Sequence, residues 1–141
     1  MAKEISIVHH ADRRTDVMMP YAPGIVVRRG KLVFLSGVTA AAVYHSHPHR
    51  DEEFDLPPTM REQAVLTMEN LKKTLEAAGC TFADVVKTTC FLADINDFVA
   101  FNAVYATFMS DTPPARSTFQ VAALPKGGRV EIEAIAARPR G

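Results

Sequence analysis

Between residues 24 and 136 the apolar spacing runs strand, strand, helix, strand, helix, strand, strand, a succession that limits the architectures open to this chain more than any other feature. In "GIVVRRGKLVFLSG", two β-branched and aromatic runs at 24–28 and 32–36 flank Arg29-Gly30-Lys31, which predicts a hairpin turning at Gly30. Residues 60–78 predict a helix: Thr59 and Glu62 form a capping box, Pro57 and Pro58 precede it, and Gly79 closes it. Ala64, Val65, Met68, Leu71, Leu75 and Ala78 recur at helical spacing and form its apolar stripe. A capped turn at Thr81 to Asp84 leads into a Val/Thr/Phe-rich strand at 85–92. The second helix, 97–109, carries Phe98, Phe101, Tyr105 and Phe108, with Asn102 interrupting its inward side, and "SDTPP" ends it because consecutive prolines cannot extend a helix. "ARSTFQVA" and "RVEIEAIA" are alternating strands joined by the Pro/Gly loop "ALPKGG".

Strand–helix–strand units close with right-handed crossovers, so both helices belong on one face of a single mixed sheet and the other face is left uncovered. Strand parity then assigns residues to faces. Val130, Ile132, Ala134 and Ala136 belong under the helices, as do Ser117, Phe119 and Val121 if apolar residues face inward. Arg116, Thr118, Gln120, Glu131 and Glu133 are thereby expected together on the open face. An uncovered sheet this small implies a homo-oligomer.

At 141 residues, 48% of them hydrophobic, the chain supports one buried core, so 1–141 is read as one domain. Within it, 1–17 is an N-terminal extension and 38–58, "VTAAAVYHSHPHRDEEFDLPP", an enlarged loop rich in histidine, acid and proline. Sixteen Lys and Arg balance sixteen Asp and Glu, so no global field gathers phosphate backbones or anionic lipids. Neither a signal sequence nor a membrane-length apolar run is present, and the expectation is a cytoplasmic protein. Cys80 and Cys90 show no ligand spacing and read as reduced thiols.

Three places could hold chemistry. Arg116, held behind "TPPA", suits a carboxylate gripped by two parallel hydrogen bonds, or else it is a surface arginine paired with Glu131 or Glu133. Glu131 either orients or deprotonates a water, or forms a cross-strand ion pair. His45, His47 and His49 alternate in "HSHPH" and with Asp51 or Glu52 offer a metal site, although Pro48 breaks the regular alternation; the other reading is a solvated cluster at the rim of a cleft.

The stretches "PPARSTFQVAALPKGGRVEIEAIA", "LSG" at 35–37, "AAGCTFADVVKTTCFLADINDF" at 77–98 and "FNAVYATF" at 101–108 resemble the RidA/YjgF/YER057c/UK114 (Rid) family, in order and over nearly all of the chain after residue 18. The resemblance implies a chorismate-mutase-like α+β fold assembled as a homotrimeric barrel, with ligand clefts between neighbouring subunits. It implies hydrolysis of reactive enamines and imines, such as 2-aminoacrylate and 2-imino acids, to 2-oxo acids and ammonia with no metal and no cofactor. By position, Arg116 matches the arginine that holds the substrate carboxylate and Glu131 the glutamate that aims the attacking water. Tyr21, Ser36, Gly37 and Asn102 match cleft residues, and Thr118 stands where many RidA-type members carry cysteine. The substrate is a general 2-imino acid or a pathway-specific enamine of the 2-aminomuconate or aminoacrylate type.

Three readings compete. One is the metal hydrolase on the histidine loop. Another is RNA binding through Arg28, Arg29 and Lys31, which has no interleaved stacking aromatics to support it. The third is a non-catalytic ligand-binding module, against which the retained Arg116 speaks.

Overall fold

A computed structural model describes the chain except residues 1–3, 10, 17–18, 45–47, 49, 110, 112 and 140–141, and, for side chains, also 4, 53 and 54. Among the described residues six strands and two α-helices form a mixed α+β fold. The strands are β1 (Glu4–Val8), β2 (Gly24–Arg29), β3 (Lys31–Val38), β4 (Val85–Leu92), β5 (Ala115–Gln120) and β6 (Val130–Arg138); the helices are α1 (Met60–Ala77) and α2 (Phe98–Met109).

Four strands make the main sheet in the order β3-β6-β4-β5, with β6 antiparallel to both neighbours and β4 parallel to β5. The parallel pair is connected through α2, as a crossover requires. The expected hairpin is not a paired one. Gly30 makes the turn with φ 125°, but β2 pairs with β1 in a second, two-stranded sheet while β3 joins β6. Strand β1 competes for the edge of β2; its five residues Glu4–Val8 lie in the N-terminal segment, from which no strand was read.

Helix α1 begins where its cap dictates: Thr59 Oγ1 accepts a bond from Glu62 N at 3.2 Å, and the chain leaves the helix through Gly79 at φ 75°. Met68, Leu71 and Leu75 of α1 meet Phe101, Tyr105 and Met109 of α2 over Val85, Leu92, Val130 and Ile132 of the sheet, all fully buried or nearly so. Each such aliphatic side chain contributes about 1.5–3 kcal/mol by leaving water. Polar clamps join this core to its loops. Buried Gln63 donates to Pro57 O at 2.8 Å and accepts from Arg129 N at 2.8 Å, while Arg129 Nη1 pairs with Asp97 at 3.0 Å.

The face of the sheet away from the helices carries Lys87, Thr89 and Phe91 of β4, Glu131, Glu133 and Ile135 of β6, and Phe34 of β3, which is 74% exposed. On β5 the expected parity is inverted. Phe119 stacks edge-on against Phe91 at 5.3 Å and Ser117 accepts from Lys87 Nζ at 3.2 Å, so these two residues occupy the open face. Arg116 and Thr118 therefore point to the helix side, and Arg116 does not share a face with Glu131 or Glu133. The physical reason is that the open face is itself partly apolar and takes Phe119, whereas α2 presents aromatic rings and an amide that receive a guanidinium.

Candidate active site

Arg116 sits at the start of edge strand β5 beneath α2. Its Nη1 donates to Asn102 Oδ1 at 2.7 Å, and its Cζ lies 4.7 Å from the Tyr105 ring centroid, 5.1 Å from that of Tyr21 and 5.7 Å from that of Phe98. Phe98, Asn102 and Tyr105 are spaced i, i+4, i+7, so one face of α2 supplies two rings and the amide. The third ring arrives from the chain before β2: Ala22 N donates to Pro114 O at 2.8 Å and Ala22 bridges Ala115, which sets Tyr21 beside Arg116. Ring faces stabilise the cation and hold its plane. Among the described residues no carboxylate forms an ion pair with Arg116. Its remaining N–H donors suit an incoming anion.

Behind Arg116 the site is rigid. Tyr105 is fully buried, and its hydroxyl and Thr88 Oγ1 share a 2.7 Å hydrogen bond. Burial raises the Tyr105 pKa far above its ordinary value, so the ring presents a neutral phenol. Cys90, the lateral neighbour of Thr118, is buried, and that burial pushes its thiol up to about 11 despite the nearby Arg116 charge. It is a poor nucleophile at neutral pH. Thr118 Oγ1 is buried two residues along the strand from Arg116, with the Cys90 thiol of β4 beside it and no well-formed hydrogen bond among the described residues.

Ser36, Gly37 and Glu131 form a second cluster on the other side of the sheet. Leu35 opposes Ala134 and Val38 opposes Ile132, so β3 carries one extra residue at Ser36-Gly37. This bulge turns both residues outward, and they are exposed. Gly37 is packed so closely on Glu131 that an added Cβ would overlap Oε2 and stand 3.0 Å from Cδ. Only glycine leaves that carboxylate its present position.

Tyr21, Asn102, Arg116 and Thr118 are thus brought together, and so are Ser36, Gly37 and Glu131, but the two groups lie on opposite sides of one sheet. Tyr105 and Phe98 read as core in the sequence because an aromatic stripe at helical spacing marks a buried helix face, and Thr88 carries no signal of its own within the Val/Thr-rich strand β4. The available signal was Asn102 in the middle of that stripe. His45, His47 and His49 lie outside the described residues, and among the described residues no three His, Cys, Asp or Glu side chains gather as a metal site. Among the described residues no helix is long and apolar enough to cross a membrane.

A family model described as endoribonuclease L-PSP matches residues 12–138. The chain belongs to the Rid family. Within that family it is 39% identical to protein DfrA of Myxococcus xanthus over 135 residues, covering 90% of this chain and 92% of that protein. It is 54% identical over 81 residues to the rat 2-iminobutanoate/2-iminopropanoate deaminase, an alignment covering 57% of this chain and 59% of the rat protein. Among solved structures, Escherichia coli TdcF with bound serine superposes with a TM-score of 0.66 at 37% identity, over 94% of this chain and 98% of that one. These Rid structures share the mixed sheet with two helices seen here.

Proposed function

We propose that this Rid protein is an enamine/imine deaminase that hydrolyses 2-imino acids to 2-oxo acids and ammonia in a site shared between subunits of a homotrimer. The observation that carries the reading is Arg116: a guanidinium caged by three rings and Asn102, with no carboxylate partner among the described residues, on the opposite side of the sheet from Glu131. A substrate gripped at its carboxylate by Arg116 is reached by Glu131 only of another copy. A heterologous contact that closes into a ring brings such halves together. The deaminase name of the rat relative and the amino acid bound to TdcF support a small carboxylate as ligand.

The reaction asks little of the protein because the C=N carbon is already electrophilic. Arg116 fixes the carboxylate with Asn102 holding the fork, Tyr21 walls the cleft, and Thr118 offers its spare hydroxyl to the substrate. Across the interface, Glu131 takes a proton from water as its oxygen adds to C2, with Ser36 and the Gly37 bulge setting the geometry. Glu131 returns that proton to nitrogen as the C=N pair moves onto it, giving the tetrahedral 2-amino-2-hydroxy acid; the hydroxyl proton then passes by way of Glu131 to nitrogen, the C–N bond breaks as C=O forms, and ammonia and the 2-oxo acid leave. No metal or cofactor enters these steps. The endoribonuclease description of the family model is set against a formal net charge of zero, which gives little attraction to a phosphate backbone.

Mixing two inactive variants tests the shared site. Arg116→Ala and Glu131→Gln proteins, unfolded together and refolded at equal concentration, are expected to regain about a quarter of wild-type imine hydrolysis, because half of the copies keep each residue and a site needs both. Generating the imine with an amino-acid oxidase and trapping the remainder with semicarbazide reads the rate. A mixture as inactive as its components means that both residues serve one chain's site, and no acceleration by the wild type with any imine or enamine ends the deaminase reading in favour of a binding module.

Gly37→Ala probes the other half. The added methyl forces the Glu131 carboxylate aside, so kcat is expected to fall about tenfold while the folded state loses little, because a flexible carboxylate end on the open face gives way. Steady-state rates beside a thermal melt separate the two, and an unchanged kcat removes the bulge from the mechanism.

A further inference from the structure

The bulge at Ser36-Gly37 opens onto a cavity of ≈ 530 Å³ between α1, β3 and residues 42–44. Asn70, Lys73, Thr74 and Ala77 line it as one helical face, at spacings i, i+3, i+4 and i+7. Its opposite wall is held rather than loose: Asn70 Nδ2 donates to Thr39 O at 2.8 Å and to Ala41 O at 2.9 Å, tying the start of the enlarged loop to the helix. Most of the remaining lining is apolar, with Phe34, Val38 and Val43 among it. Among the described residues Lys73 is the one charged side chain in that lining, and no carboxylate forms an ion pair with it. A largely apolar recess whose lining includes one cation and two residues of the reaction site has the form of a side-chain subsite.

We propose that this cavity receives the side chain of the substrate and that Lys73 selects side chains ending in an anion, so that the favoured substrates are 2-imino dicarboxylic acids. The inference rests on the deaminase reading above and deepens it. Arg116 of one copy takes the C1 carboxylate, and the apolar walls take the intervening methylenes. Lys73, in the α1 wall of the same recess, takes the distal carboxylate. The ammonium is solvent-exposed, so it produces a preference among substrates rather than an absolute requirement.

The test compares two imines of equal chain length, made by an amino-acid oxidase from glutamate and from norvaline, with wild type, Lys73→Glu and Lys73→Met. The ratio of kcat/KM for the glutamate imine to that for the norvaline imine is expected to fall about tenfold in Lys73→Glu and about threefold in Lys73→Met, the size of one exposed ion pair reversed or removed. The ratio is insensitive to a general loss of folded protein. A ratio that stays at its wild-type value in both variants, while norvaline imine is still hydrolysed, overturns the subsite and leaves the deaminase reading standing. A wild type that accelerates neither imine takes both down.

Discussion

Arg116→Ala is expected to lower kcat/KM for imine hydrolysis roughly 10²–10³-fold, because two charge-assisted bonds to the substrate carboxylate are lost in a partly desolvated site. The same change leaves Asn102 Oδ1 without its 2.7 Å donor and opens a space among Tyr21, Phe98 and Tyr105, so the loss has a structural part as well. Arg116→Lys separates the two effects. Lysine keeps the charge over the rings but has no planar fork, so its KM is expected to rise steeply with the thermal midpoint nearly kept. Initial rates against imine concentration, with a melt for each variant, are the measurements. A lysine variant with wild-type KM would mean that the substrate carboxylate does not rest on this guanidinium.

Glu131→Gln carries the second large effect. The amide is isosteric and fits under Gly37 as the carboxylate does, but it cannot accept the proton of the attacking water. The expected result is a fall in kcat of about 10²–10⁴-fold, the range for removing a positioned general base, with KM and stability changed little. That pattern differs from Arg116→Lys, where binding suffers first. Equal kcat for Glu131→Gln and wild type would place the water elsewhere and leave Glu131 as a polar residue of the open face.

Some of this was legible in the residues themselves. Thr59 with Glu62 and Gly79 marked the ends of α1, because caps satisfy backbone groups using residues only three or four places away. The alternation in β6 is legible for a similar reason: Val130, Ile132, Ala134 and Ala136 form an uninterrupted apolar parity, and Glu131 and Glu133 lie on the open face as expected. Strand β5 was misread because both of its parities contain a large side chain, and the deciding partners, Phe91 for Phe119 and the rings of α2 for Arg116, are 28 residues or fewer away in sequence yet are placed by the fold. β1 escaped notice for lack of a local signal strong enough to separate a pairing strand from a tail. The extra residue at Ser36-Gly37 was equally hidden, since a bulge exists only relative to the strand it faces.

The sequence by itself determined the order of elements from residue 24 onward, the helix ends, the kinship with the Rid family and the choice of Arg116 and Glu131 as candidates. All of these depend on local spacing or on motif. Only the tertiary structure decided that Arg116 turns toward α2, away from the face that carries Glu131, because which face a strand residue takes is settled by the neighbouring strands and helices that compete to cover it. That choice is what divides one candidate site into two halves.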